Sequence, residues 1–248
     1  MNDSQNPAAQ VVPDAASDLN KKAQVADMFD SIAGKYDFLN HFFSLGIDKG
    51  WRRKAIKEIA AICPKTILDI ATGTGDLAVA ASKINPEKII GIDISEGMLE
   101  VGRKKINKLG LDSVITLQKG DSEALAFADN SFDAITCAYG VRNFENLTAG
   151  LKEMQRVMKP GGKMAILEFS HPKTFPVKQL YPFYFRFILP MLGKLVSKHK
   201  SAYTYLPQSV MAFPEGKKFC NILTECGFKN AKAKPLTLGI TTLYTAGK

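Results

Sequence analysis

Acidic side chains recur at the ends of apolar runs in this chain, and a glycine turn interrupts the first of them. Ile67-Leu68-Asp69-Ile70 passes into Ala71-Thr72-Gly73-Thr74-Gly75-Asp76. Gly73 and Gly75 carry no Cβ, so the backbone there is free to take positive φ and let a ligand approach its amides. A helix starting near Asp76 adds the positive end of its dipole. Asp93 ends the run Lys88 to Asp93, 18 residues after Gly75, about where doubly wound nucleotide binders place the carboxylate that grips a ribose diol. Val114 to Lys119 leads into Gly120-Asp121-Ser122, which puts Asp121 at the carboxyl edge of a sheet, in reach of an adenine amino group.

These side chains need a scaffold that gathers strand ends. The runs are apolar on both faces, as buried parallel strands are. Two more follow, Phe132 to Cys137 and, after Lys159-Pro160-Gly161-Gly162, Lys163 to Phe169. Helical patterns over Asp76 to Ile84, Gly97 to Leu109 and Leu147 to Met158 separate them. The reading is an open α/β fold with its ligand in the crevice at the strand ends. The glycines alone leave two ligands open, a nicotinamide dinucleotide and S-adenosylmethionine, because Ala78 stands where the dinucleotide pattern tolerates it in place of a third glycine.

Asp69 in the first strand, an acid ending the second, Gly-Asp after the third and Pro-Gly-Gly before the fifth resemble class I methyltransferases. That resemblance implies S-adenosylmethionine and a Rossmann-like, mostly parallel seven-stranded sheet with helices on both faces. Lys229 to Pro235 and Thr241 to Ala246 would be its C-terminal hairpin. More narrowly, Phe29-Asp30-Ser31-Ile32-Ala33-Gly34-Lys35-Tyr36-Asp37, then Asn40, Ser44, Gly46, Trp51-Arg52, the glycine turn and Tyr139-Gly140-Val141-Arg142-Asn143 resemble the UbiE/MenG family from about Val25 to the C-terminus. These are C-methyltransferases of menaquinone and ubiquinone biosynthesis. Ala71 replaces the first glycine of the general methyltransferase turn, as it does in that family, and Ala138 stands where many relatives carry a serine.

The resemblance assigns roles. Asp93 holds the ribose, Asp121 and Ser122 flank the adenine, Thr72 and Asp69 lie near the amino-acid end, and Gly73 and Gly75 shape the turn. The acceptor would be a polyprenyl quinol, demethylmenaquinol or the corresponding methoxybenzoquinol. Methylating its ring carbon requires a base and a donor for the developing oxyanion. Arg142, a poor base because of its high pKa, polarises the quinol or organises a water; Asn143 orients the ring hydroxyl; Tyr36 and Tyr139 are lesser contributors. A buried ion pair from Arg142 to Asp37 or Glu145 is the competing use of that side chain.

The 248 residues, 46% hydrophobic, suffice for one α/β domain over 21–248, after an Ala-, Asn-, Asp- and Pro-containing mobile arm over 1–20. Residues 21–62 show helical spacing; such helices could merely cap the sheet, but the resemblance implies a lid that excludes water from a reactive sulfonium. Cys63, Cys137, Cys220 and Cys226 lack metal-like spacing, as do His41, His171 and His199, and the chemistry needs no metal. With no secretory signal, the reading is a reduced, cytoplasmic protein. The net charge of +9 permits an anionic partner without naming one, and Arg103, Lys104, Lys105 and Lys108 read as a solvated helix face rather than a nucleic-acid patch.

Residues 169–214 depart from the rest. They contain no Asp or Glu, six Lys or Arg, and ten of the 23 aromatic residues. The run Tyr181 to Leu192 is too short and interrupted to span a bilayer, but aromatics flanked by lysines suit a membrane interface. The expectation is that residues 175–200 form a prenyl-tail channel or a peripheral contact at the inner face of the membrane. A pocket-lining insertion, a homodimer interface or docking into a quinone-synthesis assembly are other uses of the same surface. A methyltransferase of this fold acting on another lipid or phenol, or a non-catalytic scaffold subunit, would share the cofactor residues. The intact Tyr36-Asp37 and Arg142-Asn143 favour an active enzyme.

Overall fold

The computed structural model describes residues 10–44, 46–173, 175, 178–179 and 200–248. The strands are β1 (Thr66–Ile70), β2 (Lys88–Asp93), β3 (Ile115–Lys119), β4 (Phe132–Ala138), β5 (Met158–Phe169), β6 (Lys229–Leu236) and β7 (Thr241–Gly247). They form one sheet in the order β3-β2-β1-β4-β5-β7-β6. β1 to β5 pair in parallel, whereas β7 runs antiparallel between β5 and β6. The helices are α1 (Lys21–Phe43), α2 (Asp48–Ala60), α3 (Asp76–Ala81), α4 (Glu96–Lys108), α5 (Leu147–Val157), α6 (Lys200–Ala212) and α7 (Lys217–Glu225).

The period of two along each strand divides the core between two faces. Leu68, Ile70, Ile135, Cys137, Met164 and Ile166 pack against Leu151 and Met154 of α5 and Phe219 and Leu223 of α7. Ile67, Ile89, Ala134, Ala165 and Leu167 face Trp51, Ala55 and Ile59 of α2, Leu77 of α3 and Leu99 of α4. Because both faces are covered, the central strands are apolar over most of their middle positions, with Asp69, Thr136 and Glu168 as buried exceptions. β6 is an edge strand that carries Lys229, Lys232 and Lys234 exposed, and Pro235; charge and proline discourage edge-to-edge pairing.

Most boundaries shift from the sequence reading by one to three residues, and the largest difference is at β5. The helix expected to reach Met158 ends at Val157, and β5 starts at Met158 rather than Lys163. Met158 pairs with Phe132, then the register shifts so that Lys163 meets Ala134. Pro160-Gly161-Gly162 is therefore a bulge within the strand, with Gly161 at φ +79°, rather than a turn before it. Residues 10–20 fold back on α1, the Asp14 amide donating to Gln24 Oε1 at 2.9 Å, and Val11 packs near Val25, Met28 and Tyr205. Residues 1–9 of the expected arm and the aromatic run 181–192 lie outside the described residues, as do the side chains of His41 and His199. Among the described residues no helix is long and apolar enough to cross a membrane.

Candidate active site

The strand order reverses around β1, whose neighbours are β2 and β4, and a crevice opens there at the carboxyl ends of the strands, as this topology dictates. It forms a cleft open to solvent whose wall includes Gly73, Asp93, Asp121, Ser122, Tyr36 and Asn143. Asp69 and Thr72 line a smaller neighbouring cavity with Arg52 and Asp76, and Tyr36 and Gly73 border both. Gly75 and Arg142 are in the wall of neither.

The turn after β1 is fixed by its own backbone. Gly73 and Gly75 take φ +55° and +80°, and Gly75 caps α3. A Cβ on Gly73 would sit 3.3 Å from the Met98 Cε, so the missing side chain keeps the cavity open at its amide. The Gly73 amide donates to Asp93 Oδ2 at 2.8 Å and the Ser95 amide to Oδ1 at 2.9 Å. Burial raises the Asp93 carboxyl above its ordinary range against those donors. Asp69 accepts from the hydroxyls of Thr72 and Thr136, each at 2.6 Å, yet burial still pushes its carboxyl up to about 6. The lining has the groups a nucleoside would need: a carboxylate in Asp93, apolar flanks in Ile94 and Met98, and polar side chains in Asp121 and Ser122.

Opposite, Ala71 and Tyr139 sit at φ +50° and +60°, strained values that cluster at functional sites. The turn after β4 presses on the turn after β1 so closely that a Cβ on Gly140 would lie 2.5 Å from that of Ala71. Asn143 faces the cavity, its Nδ2 donating to the Tyr139 carbonyl at 3.4 Å and its Oδ1 accepting from the Tyr205 hydroxyl at 3.1 Å. Arg142 points behind that wall. Its Nη1 donates to Glu168 Oε1 at 2.8 Å and to the Tyr139 carbonyl, and its guanidinium lies over the Phe169 ring, 5.6 Å from the centroid. The partner is thus Glu168, not Asp37 or Glu145 as entertained from sequence. Arg142 Nε is buried with no hydrogen-bond partner among the described residues. Burial opposes the Arg142 charge, but Glu168 together with Tyr205 and Tyr36 outweighs it and holds the guanidinium above its ordinary value.

α1 lies across the crevice and touches each loop around it. Lys22 Nζ reaches Asp121 at 2.7 Å and Glu123 at 3.2 Å. Asp30 accepts from the Ser95 hydroxyl at 2.5 Å and the Gly97 amide at 2.8 Å. Asp37 takes the Thr74 hydroxyl at 2.5 Å and pairs with Lys105 at 2.6 Å. Tyr36 packs edge-on to Phe29, ring centroids 6.0 Å apart, and burial raises its phenol to about 12, opposed by Arg142 and Arg52.

Sequence reasoning missed Lys22, Asp30, Glu168 and Tyr205. Glu168 did carry a signal, since a lone glutamate in a buried apolar strand needs a cation. The other three act through contacts 62 to 99 residues away and leave no local pattern. No group of three or more His, Cys, Asp or Glu side chains among the described residues is placed to hold a metal ion.

The model of the ubiE/COQ5 methyltransferase family matches residues 17–248. A demethylmenaquinone methyltransferase of Bacteroides fragilis is 52% identical over 94% of this chain and 96% of its own length. A ubiquinone/menaquinone biosynthesis C-methyltransferase UbiE of Geotalea daltonii is 48% identical over 92% of this chain and 97% of its own. Among solved structures, a putative S-adenosyl-L-methionine-dependent methyltransferase of Methanococcus maripaludis superposes with a TM-score of 0.62 at 20% identity, covering 95% of this chain and 97% of that one, a likeness of fold.

Proposed function

The chain belongs to the ubiE/COQ5 methyltransferase family, and from that premise we propose that it methylates a ring carbon of a demethylated polyprenyl quinol, with S-adenosylmethionine as donor. Relatives in Bacteroides fragilis and Porphyromonas gingivalis are named demethylmenaquinone methyltransferases, and the reduced form of that quinone, demethylmenaquinol, is the acceptor whose ring carbon can be made nucleophilic. The relative in Geotalea daltonii adds ubiquinone synthesis to the same chemistry. The observation that carries the reading is the cavity itself, which brings Gly73, Asp93, Asp121 and Ser122 to one wall and Tyr36 and Asn143 to another.

The sulfonium, when bound, supplies an electrophilic methyl group to a nucleophile placed in line with the breaking bond. On the donor side, Asp93 accepts from the ribose diol while holding the Gly73 and Ser95 amides. Asp121 and Ser122 take the adenine edge, and Asp69 with Thr72 sets the end of the site where the amino-acid moiety lies.

On the acceptor side, the ring becomes nucleophilic as a quinol hydroxyl loses its proton and charge moves to the ortho carbon. Asn143 orients that hydroxyl, its own amide fixed by Tyr139 and Tyr205. Arg142, kept cationic by Glu168, sits behind the Tyr139 carbonyl and favours negative charge on the ring oxygen through the field it projects across the wall. Tyr36 is protonated at neutral pH, and burial, which pushes its phenol up to about 12, makes it a still poorer route to a phenolate, so it acts as a hydrogen-bond donor rather than as the base. The proton leaves through water, and the ring C–H proton is lost after the new bond forms. α1 excludes bulk solvent while this happens.

Purified protein with methyl-labelled S-adenosylmethionine and reduced demethylmenaquinone or demethylated benzoquinol in detergent tests the reading. Label entering a reduced quinone, with none entering the oxidised one, is the expected result, and the faster ring names the pathway. Donor binding without transfer to either ring overturns the acceptor assignment.

A further inference from the structure

Arg52 is a buried cation that neither wall of the crevice has used. It stands one turn into α2 and is 6% exposed. Its side chain lines the smaller inner cavity together with Asp69, Thr72, Thr74 and Asp76. A guanidinium taken out of water needs acceptors for its N–H groups. Nη1 donates to Asp48 at 2.5 Å and Nη2 pairs with Asp76 at 3.1 Å, while Nε has no acceptor among the described residues. The fork is therefore only partly occupied by the protein.

The Arg52 charge is felt inside the cavity. Burial sets the Asp69 carboxyl high, and Arg52 is among the groups that oppose it; it likewise opposes the burial that raises the Tyr36 phenol. Asp69 accepts one hydroxyl on each oxygen, from Thr72 and from Thr136, which leaves lone pairs on both. One small cavity thus holds an acid and a guanidinium, each with bonding capacity to spare. That is the arrangement an α-amino acid requires, its ammonium on the acid and its carboxylate on the cation. Asp76 has the same sign as an incoming carboxylate, but it is held from two sides, by Arg52 and by Lys105 at 2.6 Å.

We propose that Arg52 binds the α-carboxylate of the donor's amino-acid moiety and so makes the site select a nucleoside that carries that carboxylate. The assignment rests on the donor being S-adenosylmethionine, as in the proposed function. The competing use of Arg52 is a wall alone, tying α2 to α3 through Asp76.

Titration calorimetry on the full chain separates the two, with three ligands. These are S-adenosylhomocysteine, its decarboxylated analogue, which keeps the amine, and methylthioadenosine, which lacks the whole amino-acid moiety. The wild type should bind S-adenosylhomocysteine about 30-fold more tightly than the decarboxylated analogue, the size of a lost charge-assisted hydrogen bond. In Arg52→Gln that preference should shrink to about threefold or less through loss of S-adenosylhomocysteine affinity, with methylthioadenosine bound as in the wild type. Arg52→Lys, which keeps the charge without the fork, should fall between. Because Arg52→Gln leaves Asp48 buried without its cation, the double variant Arg52→Met, Asp48→Asn removes both charges and should show the same collapse. Circular dichroism melting identifies the variants that fold. A wild type without the preference overturns the proposal, and so do folded variants that keep it or that weaken all three ligands in parallel. Failure of the wild type to bind any of the three counts instead against the donor on which the proposal rests.

Discussion

On the donor side of the crevice the Gly73 and Ser95 amides both go to Asp93, a residue 20 positions from one and two from the other. On the acceptor side Arg142 reaches Glu168, 26 positions on, and Asn143 takes the hydroxyl of Tyr205, 62 positions on. The first half is shaped by backbone conformation, in glycines at positive φ and amides turned toward a carboxylate. The second is shaped by side chains whose charges are buried, Arg142 at 6% and Glu168 at 0% exposure. Damage should therefore differ in kind: affinity for the donor on one side, stability and turnover on the other.

The largest effect should come from Glu168→Ala. It leaves the Arg142 guanidinium buried without its counter-charge, which costs about 3–5 kcal/mol and lowers the melting temperature by roughly 10 °C in a chain of this size. Glu168→Gln, which keeps the shape and an acceptor, should lose less. Equal melting temperatures for wild type and Glu168→Ala in calorimetry would show that Arg142 finds another partner and that the acceptor side is not held by this pair.

Asp69 gives a pH-dependent counterpart on the donor side. Its folded carboxyl stands at about 6 against an ordinary 3.8, so the folded chain binds that proton more tightly than the unfolded chain does. The resulting stability is complete below about pH 4 and is lost as pH rises through 6, by on the order of 3 kcal/mol. Asp69→Asn removes this slope, and the stability difference between wild type and variant, followed by urea unfolding from pH 4 to 8, should change by that amount. A constant difference across the range would mean that Asp69 does not take up a proton on folding as its burial implies.

Arg142→Lys probes chemistry rather than folding. Lysine keeps the charge but is shorter and lacks the planar guanidinium whose Nη1 reaches Glu168 and Tyr139 while its face lies over Phe169. Turnover of the quinol should fall about 100-fold, within the range for one oxyanion-stabilising donor, while affinity for S-adenosylhomocysteine stays the same. Unchanged turnover would remove Arg142 from the mechanism.

The same contrast decides what can be read from the chain alone. Parallel strands buried on both faces announce themselves as apolar runs, and Gly73, Gly75, Asp93 and Asp121 follow from where those runs end, so the sheet and the donor wall are legible. Gly161 misleads, because a glycine bulge inside β5 and a turn before it have the same composition. The acceptor wall is legible as far as Arg142 and Asn143 by resemblance, but what each touches is not. Glu168 faces Arg142 only because β5 lies beside β4, and Tyr205 meets Asn143 only because α6 packs on α1, which no local spacing encodes.

Asp93→Asn gives the smallest effect and separates the two halves most cleanly. In the wild type both carboxylate oxygens accept backbone amides, and the lone pairs that remain are what a ribose diol needs. An asparagine keeps one acceptor and turns an amide N–H toward either Gly73 or Ser95, donor against donor. One loop must shift, and one acceptor for the diol is lost. A single hydrogen bond to a charged acceptor contributes roughly 1.5–3 kcal/mol, and part of it is recovered by the amide oxygen. Affinity for S-adenosylhomocysteine by titration calorimetry should therefore drop about tenfold, equivalent to about 1.4 kcal/mol. Turnover at saturating donor should stay within twofold, because Arg142, Asn143 and Tyr36 are untouched. If turnover falls as far as in Arg142→Lys, the two walls are one mechanical unit joined where Ala71 meets Gly140, and the distinction between a backbone-built and a side-chain-built half fails.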